Sequence, residues 1–142
     1  MAEQTAAGPG TAGRMPRGLK IATGVIWFQA VVNLLVGWVL FSSAATFDEH
    51  GVGERYGSGL LRTIGVVSVV IGLLLAVCGV LVVRRAAWVR PTVIGLEAVG
   101  ILSSLIALFS GGAMPSLVGI AVGAAVIRQF ASADAAAWFN RR

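Results

Sequence analysis

The sequence predicts an all-α membrane protein, a four-helix transmembrane bundle with a short C-terminal interfacial helix. Three observations carry that expectation. The chain has 142 residues, of which 57% are hydrophobic and 12% charged, and its mean hydropathy is +0.88, whereas soluble domains carry about 25% charged residues. Four apolar runs, each close to the roughly 20 residues that a crossing helix needs, fill positions 19–131 and leave no room for a soluble domain. Positive charge, finally, is distributed by membrane side. The net charge of +5 and the pI near 11.1 would suit a nucleic-acid binder, but that distribution assigns the arginines to membrane topology instead, so no nucleic-acid partner is expected.

Residues 1–18 are rich in Gly, Ala, Thr and Pro without hydrophobic periodicity, and are expected to form a disordered cytoplasmic tail. The first helix is expected over 19–41. Arg14, Arg17 and Lys20 precede it, and the small residues Ser42 to Ala45 follow it in the manner of a signal-peptide cleavage site. The run exceeds the 7 to 15 or so apolar residues of a cleavable signal core, so it reads as a retained helix. Gln29, Asn33 and Gly37 recur at steps of four, a one-sided polar and small stripe that should face protein. From Ser42 to Gly59 the chain turns polar and glycine-rich, which predicts a loop. Its consecutive Asp48, Glu49 and His50 cannot readily converge on one ion, so no metal or other cofactor is expected.

A second helix is expected over 60–83. Arg62 lies one turn inside it, able to snorkel, and Gly65, Ser68, Gly72, Ala76 and Gly79 lie along one face. Small faces let helices approach closely where lipid removes the hydrophobic drive, so this helix should be central. Its single cysteine, Cys78, has no intrachain disulfide partner and should pack as a small apolar residue. Arg84, Arg85, Trp88 and Arg90 crowd a short connection to the third helix, expected over 88–110, so the second and third helices should form a tight hairpin. After a turn at Gly111 and Gly112, a fourth helix is expected over 114–130, with Gly119 and Gly123 as a GxxxG packing pair. In the tail 132–142, Ser132 or Asp134 is placed to cap a short interfacial helix carrying Trp138 and Phe139 beside Arg141 and Arg142.

The third helix holds the one carboxylate at bilayer depth, Glu97. A charge there costs about 2.5 to 3.5 kcal/mol on insertion scales, so it must be neutralised, paired or turned inward. Glu97, Gly100, Ser104, Ala107 and Gly111 follow at steps of three and four, which predicts an inward stripe, with Ile94, Ile101, Leu102 and Leu105 facing lipid. Nine of the eleven Lys and Arg residues fall on the side of the two termini, and only Arg55 and Arg62 on the other. The positive-inside rule then makes both termini cytoplasmic. With that orientation Gln29 lies about 15 Å, and Glu97 about 13 Å, along their helices from the same side, so the two can pair. Asn33, Ser68 and Ser104 form a second layer about 20 to 24 Å deep. Together these five residues are expected to form one buried polar seam.

A weak internal repeat adds the expectation of two duplicated hairpins. Val25, Ile26, Gln29, Ala30 and Val31 match Val93, Ile94, Glu97, Ala98 and Val99 at a constant offset, and the sequence AAWV at Ala86 to Val89 is echoed by AAWF at Ala136 to Phe139. Parallel halves of this kind would be related by an axis along the membrane normal.

For function, the chain contains no HExxH, GxSxG, Walker loop or CxxC, and its one histidine lies far along the sequence from Glu97. No catalytic residues are assigned, and an enzyme is not expected. Glu97 is then either a carboxyl group that pairs with Gln29 and keeps the helices in register, or a proton or cation site of a small transporter or channel subunit. Gly65, Gly72, Gly79, Gly100, Gly119 and Gly123 are the candidate helix-packing residues. Arg84, Arg85, Arg90, Trp88, Trp138, Arg141 and Arg142 are the candidate contacts to anionic lipid headgroups. In the small multidrug exporters the essential carboxylate lies in the first helix, where this chain has Gln29. The pattern WxQxxxNLLxG (Trp27, Gln29, Asn33, Gly37) and the terminal AWF at Ala137 to Phe139 instead resemble small integral membrane proteins of actinobacteria, rich in Ala, Val and Gly. That resemblance implies a bacterial cytoplasmic membrane. The expected role is a non-enzymatic accessory or scaffold protein, a homo-oligomer or part of a larger membrane complex.

Overall fold

A computed structural model describes residues 14–50, 57–109 and 113–140. These residues form five helices, α1 (Arg17–Glu49), α2 (Ser58–Val83), α3 (Val89–Phe109), α4 (Ala113–Ala131) and α5 (Ala133–Asn140), and no strand occurs among them. α1, α2 and α3 are each long and apolar enough to cross a membrane. A fourth candidate span exists only if Ser116–Ala131 and Ala133–Asn140, bent by 55° at their junction, count as one.

α1 continues to Glu49, well past the expected end at Phe41. The segment after Phe41 has no Gly or Pro before Gly51, so nothing in Ser42 to Glu49 breaks the helix, and Ala44 is fully buried. This corrects the expected loop at 42–49. At 33 residues α1 is about 50 Å long, more than the roughly 30 Å of a hydrocarbon core, and its last turns lie beside the start of α2. There Asp48 pairs with Arg62 of α2, an exposed ion pair that fixes the two helix ends loosely. His50 Nδ1 lies 2.8 Å from the Thr46 carbonyl oxygen, one turn back.

The closest packing is between α1 and α2 and between α3 and α4, while α2 and α3 touch only sparsely. The expected tight hairpin of the second and third helices is thus replaced by two other pairs. The reason lies in the small residues: Gly65, Gly72 and Gly79 all point at α1, and Gly119 and Gly123 at α3. The turn between α2 and α3 is a Schellman close, in which Ala86 N–H donates to Leu81 O and Arg85 N–H to Val82 O, both at 3.2 Å. Arg85 occupies the left-handed position usual for glycine, with φ 58°.

One hydrophobic core joins the two pairs. It takes Leu19, Ala22, Ile26 and Ala30 from α1, Leu75, Cys78 and Val82 from α2, Val89 and Val93 from α3, Val126 and Phe130 from α4, and Ala135, Trp138 and Phe139 from α5. All of these lie in the half of the molecule where α1 and α3 start and α2 and α4 end, the arginine-rich end. α5 is therefore tucked into this core, where an interfacial helix was expected. Ser132 caps α5: its Oγ accepts from Ala135 N–H at 3.2 Å and donates to Gln129 O at 2.7 Å.

Arg90, at the start of α3, closes the end of α4 by donating from Nε to Phe130 O at 2.8 Å and from its terminal nitrogen to Ala131 O at 3.3 Å. Helix-terminal carbonyls lack partners of their own, so this guanidinium acts as a cap supplied by another helix. Arg90→Ala should cost about 1.5 kcal/mol in a denaturant titration followed by circular dichroism. Arg90→Lys should recover less than half of that, because an ammonium lacks the planar fork.

Candidate functional site

Where the shared core ends, α1 and α3 face each other through Gln29 and Glu97. Glu97 is 5% exposed. Gln29 Nε2 donates to Glu97 Oε2 at 3.3 Å across a sequence separation of 68 residues, the same offset that relates the two halves of the internal repeat. Asn33, one turn along α1, donates from Nδ2 back to the Gln29 backbone carbonyl at 2.9 Å, which holds the α1 side of the site. On the far side of Glu97, α4 comes so close that a Cβ at Gly123 would sit 3.2 Å from Glu97 Oε2 and 2.9 Å from Ile101. The glycine there admits the carboxyl group.

Among the described residues two buried side-chain polar atoms lack a hydrogen-bond partner, Glu97 Oε1 and Gln29 Oε1. Leaving a buried acceptor unpaired costs about 1 to 3 kcal/mol, so two together at one point mark a place where something is bound or exchanged, or where the fold tolerates a local penalty. A cleft of about 250 Å³ adjoins them, walled by Gln29 and Asn33 of α1, Ile71 and Leu75 of α2, and Leu96, Val99, Gly100 and Ser103 of α3.

The expected seam is brought together only in its first layer. Gln29 and Glu97 meet and Asn33 adjoins them, but no hydrogen bond among the described residues links Asn33, Ser68 and Ser104. Ser104 faces α4 instead, with its Oγ 2.7 Å from where a Gly119 Cβ would stand, and Ser68 is half-buried. α3 is rotated relative to the expected stripe. Gly100 has nothing within 4 Å of an added Cβ and Ala107 is exposed, while Ile101, expected to face lipid, packs on Gly123. Gly100 is accordingly not a helix-packing residue; it borders the cleft. Gly111 lies outside the described residues. Ser103, adjacent to the predicted Ser104, is the polar cleft residue that the sequence reading missed; the same rotation put it there.

The arginine-rich end distributes its candidate headgroup residues unevenly. Arg84 and Trp88 are exposed. Arg90 is engaged at the end of α4, and Arg85 lies with its guanidinium carbon 4.0 Å from the Trp138 ring centroid. Trp138 itself is buried and donates from Nε1 to Val82 O at 3.1 Å, so it is an internal residue and not a headgroup contact. Arg141 and Arg142 lie outside the described residues. The two AAW echoes also occupy different settings, since Trp88 is exposed before α3 and Trp138 is enclosed within α5.

Fold and cleft together define a class: an all-helical protein with three or four helices of membrane-spanning length and apolarity. Compared with family models, with characterised proteins and with solved structures, the chain matches none.

Proposed function

We propose that this chain is a multi-pass protein of the bacterial cytoplasmic membrane, crossing it four times with both termini inside. In this reading it acts without enzymatic chemistry, as an accessory or scaffold protein for membrane partners. The observation that carries the reading is the one-sided core: among the described residues the two helix pairs share buried apolar side chains only at the arginine-rich end. Beyond Glu97 the outer residues Val99, Leu102, Ile106 and Phe109 of α3 are exposed. Helix pairs whose shared core lies at one end present long exposed faces to lipid and to neighbouring helices, and in lipid such faces associate by packing and hydrogen bonding. The lysine and arginine asymmetry supports the orientation. Arg84 and Trp88 at the same end suit anionic headgroups. The resemblance carried by Trp27, Gln29, Asn33 and Gly37 supports the choice of membrane.

A second reading is favoured by the two unpaired oxygens beside the cleft: a small transporter or channel subunit in which Glu97 takes up and releases a proton or cation. One pair of experiments separates the two. Wild-type protein in liposomes should pass no more protons or monovalent cations than protein-free vesicles, while cross-linking in the native membrane should capture it in a larger assembly. Flux that disappears in a folded Glu97→Gln variant would instead establish the transporter, because the carboxamide keeps the hydrogen bonding and cannot titrate.

A further inference from the structure

Gln29 and Glu97 carry planar groups of nearly equal size and shape, a carboxamide and a carboxyl. One N–H···O bond already joins them, and in a coplanar arrangement that bond brings the two remaining oxygens side by side. Both are acceptors, both are buried, and neither has a partner. Two acceptors cannot bond to each other. A single hydrogen on one of them satisfies both, because a protonated carboxyl has one O–H to donate while a carboxamide oxygen accepts.

We infer that Glu97 binds one proton on Oε1 and donates it to Gln29 Oε1, closing a two-bond acid–amide ring, so that the ligand of this site is a proton and not a metal ion. The inference names the ligand for the transport reading above and rests on that reading only for the proton's use, not for its presence. Release moves the proton from Oε1 to a water in the cleft, leaving a carboxylate that keeps the bond from Gln29 Nε2.

The surroundings favour a proton over a larger cation. A calcium ion takes about six to eight oxygen ligands and magnesium about six. This site offers two buried, unpaired oxygens, and the cleft wall adds only the side-chain oxygens of Asn33 and Ser103. The amide nitrogen of Asn33 is committed to the Gln29 carbonyl, and Gly123 of α4 closes against Glu97 Oε2. Among the described residues no charged group faces Glu97 from any element packed against it. α1 presents Gln29 and Asn33, α2 presents Ile71 and Leu75, α4 presents Gly123, and α3 itself carries Val93 and Ile101 on that side. The one other titratable side chain in the shared core, Cys78 of α2, lies one turn beyond Leu75 toward the arginine-rich end. A bare carboxylate here would have no counter-charge.

Infrared spectroscopy of the full chain in lipid nanodiscs at neutral pH tests this. The wild-type minus Glu97→Gln difference spectrum isolates the one carboxyl. It should show the carbonyl stretch of a protonated acid, shifted in heavy water and unmoved by added sodium, potassium or calcium. In Gln29→Leu, where the acceptor is gone, the same band should move to higher frequency, and this variant serves as the independent probe if Glu97→Gln does not fold. A pair of carboxylate stretches in place of that band, or a band displaced by any of the three cations, overturns the proposal. If the band is present and liposomes show no flux, the transport reading fails while the proton site stands.

Discussion

Gly37→Ile should separate α1 from α2 and cost about 3 kcal/mol, the upper end of what overpacking usually does. A Cβ at position 37 would lie 2.6 Å from Val69 Cγ2, 2.7 Å from the Gly65 carbonyl oxygen and 3.1 Å from the Val69 backbone nitrogen. Two of those three atoms are backbone, which cannot rotate aside. The approach is mutual, since a Cβ at Gly65 would stand 3.0 Å from the Gly37 carbonyl oxygen. Where lipid tails are as apolar as the side chains, closeness of this kind is a main source of helix attachment, and a branched side chain removes it at the level of Gly37 and Gly65. Gly100→Ala is the matched control: nothing lies within 4 Å of its added Cβ. It should change stability by less than about 1 kcal/mol, in the stabilising direction, because alanine restricts the unfolded chain more than glycine does. Unfolding by sodium dodecyl sulfate, followed by circular dichroism, reads both. Equal midpoints for the two variants would mean that the α1–α2 contact does not hold the fold.

The contrast between those glycines also shows how far the sequence could be read. The face of Gly65, Gly72 and Gly79 on α2 was legible because small residues at steps of three and four have one mechanical use, close approach, and all three are buried against α1. The Gln29–Glu97 level was legible from helix rise alone once the helices were given a common start. The rotation of α3 was not. In lipid, glycine and isoleucine are tolerated on either face, so Gly100 and Ile101 carry no signal for inside and outside, and only the docking of α4 through Gly119 and Gly123 decides between them. The end of α1 was hidden by composition: Ser42, Ser43 and Asp48 look like loop residues, yet nothing among them prevents a helix. Pairing of the helices in space was equally unreadable, because the short connection from Arg84 to Trp88 suggested a tight pair that the side chains do not make.

Trp138→Ala should cost about 3 to 5 kcal/mol and detach α5 from the core. An indole near a basic chain end reads from sequence as a headgroup anchor, since membrane interfaces and protein interiors both suit an apolar ring with one polar edge. Here the ring is 8% exposed and its N–H donates at 3.1 Å to Val82 O, the same carbonyl that accepts the Arg85 N–H in the turn out of α2. The next residue, Phe139, stacks on Phe130 with centroids 6.2 Å apart. Trp138→Phe keeps most of the ring and loses only the N–H, so it should cost about 1 kcal/mol beyond the small change in volume. The indole also bears on Arg85, whose left-handed backbone costs a non-glycine residue about 1 to 2 kcal/mol and whose guanidinium lies over the ring. In the wild type, Arg85→Gly relieves the backbone and loses the cation–π contact, so the two effects should nearly cancel. In the Trp138→Ala background there is no ring left to lose, and the same substitution should stabilise by about 1 kcal/mol. Four unfolding curves measure this coupling. Additive effects at positions 85 and 138 would show that the strained turn is held by α2 and α3 alone, and that α5 only lies beneath it.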